Sequence, residues 1–123
     1  MVDARTLFGD KGELIAEEYL SSKGYKLVKR KYRNEYGEID LICLDGIQVV
    51  FIEVKTRRSV KEGFPEESVT EKKIGNIIRC AGFYMDEIRS EASFRIDVIS
   101  VLFTCNNPQV HHLIDIDIPE KFW

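Results

Sequence analysis

Three charged residues stand in this chain where apolar ones belong. Residues 38–44 and 48–56 read as strands that are apolar on both faces. Ile39, Leu41 and Cys43 alternate with Ile42 and Leu44 in the first; Val50, Ile52 and Val54 alternate with Val49 and Phe51 in the second. Strands of that kind are covered on both sides, and a charge without a partner is costly there. Yet Asp40 interrupts the first run, and Glu53 and Lys55 interrupt the second. Two carboxylates held close together repel, and one keeps its proton unless a cation intervenes. Mg²⁺ or Mn²⁺ suits such a site, because these ions take a few carboxylates plus waters. A metal so held serves phosphodiester hydrolysis by activating water, stabilising charge on phosphorus and orienting the leaving group. Lys55 would orient or deprotonate the water, or stabilise the developing charge. The alternative is a structural ion cluster, Asp40–Lys55 or Glu53–Arg57, although buried ion clusters seldom add stability over apolar packing.

The two strands are joined across Asp45-Gly46, a strong hairpin signal. With those two as the loop, Leu44 pairs with Ile47, Phe51 faces Asp40 and Glu53 faces Glu38. Directly opposed residues share a face, so Glu38, Asp40, Glu53 and Lys55 project to one side, with Asp40 and Glu53 diagonal neighbours about 7–8 Å apart. A register change of one residue would separate them.

The flanking elements follow from periodicity. A helix is expected over 10–23, with Ala16, Tyr19 and Leu20 on one face and Gly24 as its stop. Residues 25–32 form a basic, partly exposed strand. A polar loop with Gly63 and Pro65 spans 57–67. Thr70 caps a second helix to about residue 89, with Ile74, Ile77, Ile78, Ala81, Met85 and Ile88 at helical spacing. Residues 94–103 form an apolar strand, and the alternation of Ile114, Ile116 and Ile118 with Asp115 and Asp117 suggests an edge strand over 113–118. The order is helix, three-strand meander, helix, one or two strands: an α/β fold with a mixed sheet between helices.

Gly37-Glu38-Ile39-Asp40-Leu41-Ile42 followed by Glu53-Val54-Lys55-Thr56-Arg57 resembles the PD-(D/E)xK nuclease pattern. The chain is similar over nearly its whole length to the YraN-like family of uncharacterised bacterial proteins, whose relatives include Holliday-junction resolvases. Gly12-Glu13, Gly24-Tyr25, Val69 with Lys73, and Ala81 with Tyr84 belong to the same pattern. The resemblance implies a restriction-endonuclease-like fold in one domain over 1–123, Asp40 and Glu53 as metal ligands, and Lys55 as the catalytic lysine. Glu13 matches the resolvases' first-helix glutamate, a further ligand and catalytic candidate. A capping box with Asp10 as N-cap explains Glu13 equally well. Where the motif usually has proline before the aspartate, this chain has Ile39, with Glu38 ahead of it as an additional acid.

The implied function is a Mg²⁺- or Mn²⁺-dependent endonuclease on nucleic acid, with DNA favoured and branched DNA one candidate form. A homodimer would supply two sites for symmetric cutting. The rivals are a nucleic-acid-binding or adaptor module without catalysis and an enzyme acting on a small phosphate ester. The net charge of −3 does not favour polyanion binding by itself. However, 13 of the 18 Lys and Arg fall between Lys23 and Arg79 against nine of the 21 acids, leaving that stretch at +4. Arg57, Arg58, Lys73, Lys29 and Arg30 are the candidate phosphate contacts, each with a solvated side chain as the alternative; Lys61 and the interleaved Tyr25 and Tyr32 add to the basic tracts. Asp97 reads as a partner for an arginine and His111-His112 as a surface pair. Cys43, Cys80 and Cys105 read as reduced thiols of a cytoplasmic protein, and no apolar run is long enough to span a bilayer.

Overall fold

The computed structural model describes residues 2–59, 69–104 and 107–123. Two helices enclose a five-stranded sheet. The elements are α1 (Ala4–Ser22), β1 (Lys26–Asn34), β2 (Gly37–Asp45), β3 (Gln48–Arg57), α2 (Glu71–Glu87), β4 (Phe94–Phe103) and β5 (Pro108–Leu113), closed by a 3-10 turn at Glu120–Phe122. The sheet order is β1-β2-β3-β4-β5, antiparallel except for the parallel pair β3–β4. This is the layout that the sequence pattern predicted: helix, three-strand meander, helix, then strands, two of them here. Most of the expected 57–67 loop, with Lys61 and Pro65, and Cys105 lie outside the described residues.

Both faces of the central strands are covered. On one face Ala16 and Leu20 of α1 pack against Leu41, Cys43, Val50, Ile52 and Ile99. On the other, Ile77, Cys80, Ala81 and Tyr84 of α2 pack against Ile42, Phe51 and Ile96. Cys43 and Cys80 are buried free thiols, and burial pushes the Cys43 thiol up to about 12.

Three expectations require correction. First, α1 begins six residues earlier than its apolar spacing suggested: Asp3 is the N-cap and accepts the Thr6 N–H at 2.8 Å. Asp10 and Glu13 are therefore mid-helix, and the capping-box explanation of Glu13 falls. The early turns escaped notice because only small or widely spaced residues of α1 (Gly12, Ala16, Leu20) are buried, while Leu7 and Leu14 face outward. Second, Asp45 pairs with Gln48, so the hairpin loop is Gly46-Ile47, with Gly46 at φ 63 and Ile47 96% exposed. Glycine at the first loop position suits a two-residue turn that needs positive φ there. Phe51 thus faces Ile42, not Asp40. The slip is two residues, and side chains alternate with period two, so Leu41 and Cys43 keep one face and Ile42 and Leu44 the other. Ile39 does not follow: it packs with Ile42 on the α2 side, so the alternation breaks between Ile39 and Leu41, at Asp40. Third, residues 113–118 are not a strand beyond Leu113. Asp115 turns to φ 54, which breaks the extended backbone, and Ile116 and Ile118 fold onto the α2-side core.

The closest approach of α1 to the sheet occurs at Gly12. A Cβ there would lie 2.0 Å from Thr56 Oγ1 and 2.9 Å from its Cβ. Gly12→Ala is expected to cost about 1–3 kcal/mol in urea unfolding, as overpacking does, and Thr56→Ala in the same chain should recover part of it. An unchanged unfolding midpoint for Gly12→Ala would mean that α1 can ride outward freely.

Candidate functional site

The antiparallel ladder between β2 and β3 runs from Asp45–Gln48 to Leu41–Ile52. Past it, a side chain takes over from the backbone: Asp40 Oδ2 accepts the Val54 N–H at 2.7 Å. On the far side, β3 remains zipped to β4, Glu53 opposite Val98 and Lys55 opposite Ser100. The result is a rigid β3 carrying Glu53 and Lys55, with Asp40 anchored to it by one oxygen.

Glu53 is nearly buried, its side chain 8% exposed, and one of its oxygens is shared by two ammonium groups. Lys55 Nζ lies 3.1 Å and Lys73 Nζ 2.5 Å from Glu53 Oε1. Lys73 comes from the first turn of α2, a turn fixed by Thr70, whose hydroxyl accepts the Lys73 N–H at 3.2 Å. The structural alternative of an Asp40–Lys55 pair is not what forms; both lysines go to Glu53.

Asp40 is the unbalanced member. Burial pushes its carboxyl up, and the neighbouring Glu53 charge pushes it further, to about 7, against the pull of the Val54 N–H. Lys55 moves the other way, lowered by burial and then by the neighbouring Lys73. For Lys73 burial works against the charge, but its hydrogen bonds to Glu53 and Lys55 outweigh it and raise its affinity for the proton.

Glu13 sits on α1, half-buried, with its carboxylate 3.3 Å from Lys31 Nζ. Burial is the main cause that raises it, and its charge is one of those that raise Asp40. It nonetheless does not join Asp40 and Glu53 in a ligand set: among the described residues no three His, Cys, Asp or Glu side chains are grouped to hold a metal. Glu38 is turned to Arg33, 3.0 Å away.

The basic candidates scatter. Arg57 donates to the Thr56 carbonyl at 3.2 Å. Arg58 lies over the Phe8 ring, 4.0 Å from its centroid. Lys29 is exposed, and Arg30 is paired with Glu17 at 2.8 Å. Lys73 is drawn into the site, its Nζ 2.5 Å from Glu53 Oε1.

A second polar centre lies on the α1 face and was only half anticipated. Asp97, fully buried, accepts from Arg95 Nε at 3.0 Å, as its reading as an arginine partner required. It also accepts from His112 Nε2 at 2.7 Å and the Asp115 N–H at 2.9 Å. Arg95 reaches Asp45, Gln48 and Tyr25 as well, and the Tyr19 hydroxyl meets His112 Nδ1 at 3.2 Å. His112 is therefore not a surface residue; its side chain is 5% exposed. The missed signal was the alternation of β5, which points His111 out and His112 in.

With this geometry in place, comparison with known proteins gives a clear family. The model described as "Uncharacterised protein family UPF0102" matches residues 12–101, a span that contains Glu13, Asp40, Glu53, Lys55 and Lys73. This chain belongs to family UPF0102. A UPF0102 protein of Syntrophomonas wolfei is 42% identical over 105 residues, covering 85% of this chain and 91% of the relative. Another, from Chlorobium limicola, is 41% identical over 117 residues, 94% of this chain and 91% of that one. The crystal structure of SSO0001 aligns with 98% of this chain and 56% of its own at 17% identity and a TM-score of 0.42, a likeness too loose to bear on function. Among the described residues of this UPF0102 member, no helix is long and apolar enough to cross a membrane.

Proposed function

We propose that this UPF0102 protein is a Mg²⁺- or Mn²⁺-dependent endonuclease acting on nucleic acid, with DNA the favoured substrate. One observation carries the reading: Glu53 is flanked by two lysines while Asp40, beside it, accepts only the Val54 N–H among the described residues. Its missing partner is a proton or a hard cation. The donor set fits Mg²⁺ or Mn²⁺, hard ions that take a few carboxylate oxygens and complete their coordination with water. Asp40 and Glu53 would hold the ion, which would polarise the phosphodiester and lower the pKa of bound water.

The chain's own residues supply the rest. Asp40, anchored through Oδ2, presents Oδ1 in a fixed direction. Lys55, whose proton burial makes easier to lose, is suited to take a proton from the attacking water or to donate to the developing charge. Lys73, which holds its proton more firmly, would orient Glu53 and neutralise it when no ion is bound.

The roles separate in one experiment. Lys55→Ala is expected to lower Mn²⁺-dependent nicking of branched DNA by roughly 100-fold or more while leaving Mn²⁺ affinity, measured by calorimetry, equal to wild type or tighter. Glu53→Gln is expected to lose both. Wild-type protein that neither binds Mn²⁺ nor cuts any nucleic acid sinks the proposal; binding of nucleic acid without cutting in any metal favours an adaptor.

A further inference from the structure

The outward side of α2 carries a groove that the proposed chemistry does not use. Two adjoining hollows, about 320 and 260 Å³, share Arg79. Lys72, Gly75, Lys121 and Phe122 line the first; Tyr36, Gly82 and Phe83 line the second. The helix is bare where the groove passes. Gly75 lies under the Phe122 ring, a Cβ there coming within 3.0 Å of it, and a Cβ on Gly82 would meet nothing within 4 Å. Two glycines seven residues apart on one helical face keep the floor flat at some cost in helix stability. Tyr36 and Phe83 leave 41% and 37% of their surfaces exposed with ring centroids 6.2 Å apart, and the Asn76 side chain holds Arg79 Nη2 at 2.7 Å.

Charge and shape point to one kind of occupant. The groove offers cations at Lys72 and Arg79; Lys121 is neutralised by Glu71 at 2.6 Å, and Asp86 lies at the aromatic end. Cations at one end and exposed rings at the other, with Arg79 between them, suit a single strand of nucleic acid, whose phosphates track the cations while its bases stack on the rings. A duplex keeps its bases stacked inside and has no use for the rings. The groove and the candidate site draw on the same two elements: Tyr36 immediately precedes β2, which carries Asp40, and Lys72 precedes Lys73 in α2, which reaches Glu53.

We infer that this groove binds an unpaired single-stranded segment of the substrate, with bases on Tyr36 and Phe83 and phosphates on Lys72 and Arg79. The inference rests on the nucleic-acid reading of the site and specifies the part of the substrate that lies off it.

The test is fluorescence anisotropy of the full chain with a single-stranded oligonucleotide and with a blunt duplex, in metal-free buffer so that cutting cannot intervene. Phe83→Ala is expected to weaken single-strand binding about 5- to 100-fold, the range for loss of one base–aromatic stack. Arg79→Ala is expected to weaken it and to reduce the slope of log affinity against log salt by about 0.7, the value for one phosphate on a single strand. Gly82→Glu introduces a charge into open space without a clash and should fold as well as wild type, yet lose single-strand binding about 10-fold or more. Duplex binding should change less than about 3-fold in all three. Unchanged single-strand affinity in Gly82→Glu and Phe83→Ala overturns the groove assignment. So does wild-type self-association that Gly82→Glu abolishes, since the groove would then be an interface between copies. Wild-type protein that binds no nucleic acid of either form overturns the nuclease reading itself.

Discussion

Asp40→Asn is expected to abolish metal-dependent cleavage and at the same time to make the metal-free protein harder to unfold at pH 8. Both effects have one cause. Asparagine retains an oxygen for the Val54 N–H, which Asp40 Oδ2 accepts at 2.7 Å, but removes the charge that burial and Glu53 oppose. The sign follows from linkage. The folded state raises the Asp40 carboxyl from its ordinary value of 3.8 to about 7, so folding favours the protonated form. The charge therefore costs stability progressively as pH rises through that window, and the cost is complete above it. Removing the charge should stabilise the protein on the order of 2 kcal/mol at pH 8, and the advantage should shrink towards zero near pH 4. Thermal melts of the two proteins across pH 4–8 in EDTA measure it. Mn²⁺ should raise the wild-type melting temperature and leave the variant's unchanged, because an ion that binds only the native fold stabilises it by mass action. Equal melting temperatures for the two proteins at pH 8 would mean that the Asp40 carboxylate is balanced without a metal, and the cation argument would lose its basis.

Asp97→Ala is expected to do the reverse, lowering stability severely without touching the chemistry. Asp97 is fully buried and accepts from Arg95, His112 and the Asp115 N–H. Deleting it leaves a buried guanidinium short of its main partner and a buried imidazole with only the Tyr19 hydroxyl, a situation that costs about 3–5 kcal/mol. Since whole domains are stable by only about 5–15 kcal/mol, that loss should be evident in urea unfolding. The same group governs acid sensitivity. Burial raises Asp97, but the hydrogen bonds from His112, Arg95 and the Asp115 N–H outweigh it, and the net shift is downward. A depressed carboxylate contributes stability that is fully present above its unfolded value and lost as pH falls below it. The gap between wild type and Asp97→Ala should therefore hold from neutrality down to roughly pH 4 and close below that. Metal-dependent nicking at low temperature should be retained, because Asp97 belongs to the α1 face and Glu53 to the α2 face. Loss of nicking in a folded Asp97→Ala protein would show that the two polar centres communicate through β3 and β4.

Much of this was legible in the chain before any coordinates. The interruption of two apolar strands by Asp40, Glu53 and Lys55 marked the site, because a charge in a doubly covered strand needs a reason. From Leu41 to Leu44 the face assignment survived the misplaced hairpin loop, since a two-residue slip leaves the alternation of side chains intact; at Ile39, which joins Ile42 on the α2 side, it did not. Thr70 as the cap of α2 and the span of β4 were also written in local chemistry and pattern. The start of α1 was not, because the first half of that helix approaches the sheet through Gly12 and Ala16 and leaves Leu7 and Leu14 outside, the inverse of the usual signal. The false strand at 113–118 had perfect alternation, and a single left-handed residue, Asp115, cancelled it.

The sequence by itself determined which residues are chemically out of place and, from Leu41 to Leu44, which side of the sheet each residue faces. Only the tertiary structure decided who meets whom: Lys73, from another element, turns to Glu53, leaving Asp40 next to its charge, while His112 closes on Asp97 from β5. Periodicity along a chain fixes direction within one element, but the distance between side chains on different elements depends on how those elements pack. At a site whose function depends on the balance of a few charges, that distance sets the balance.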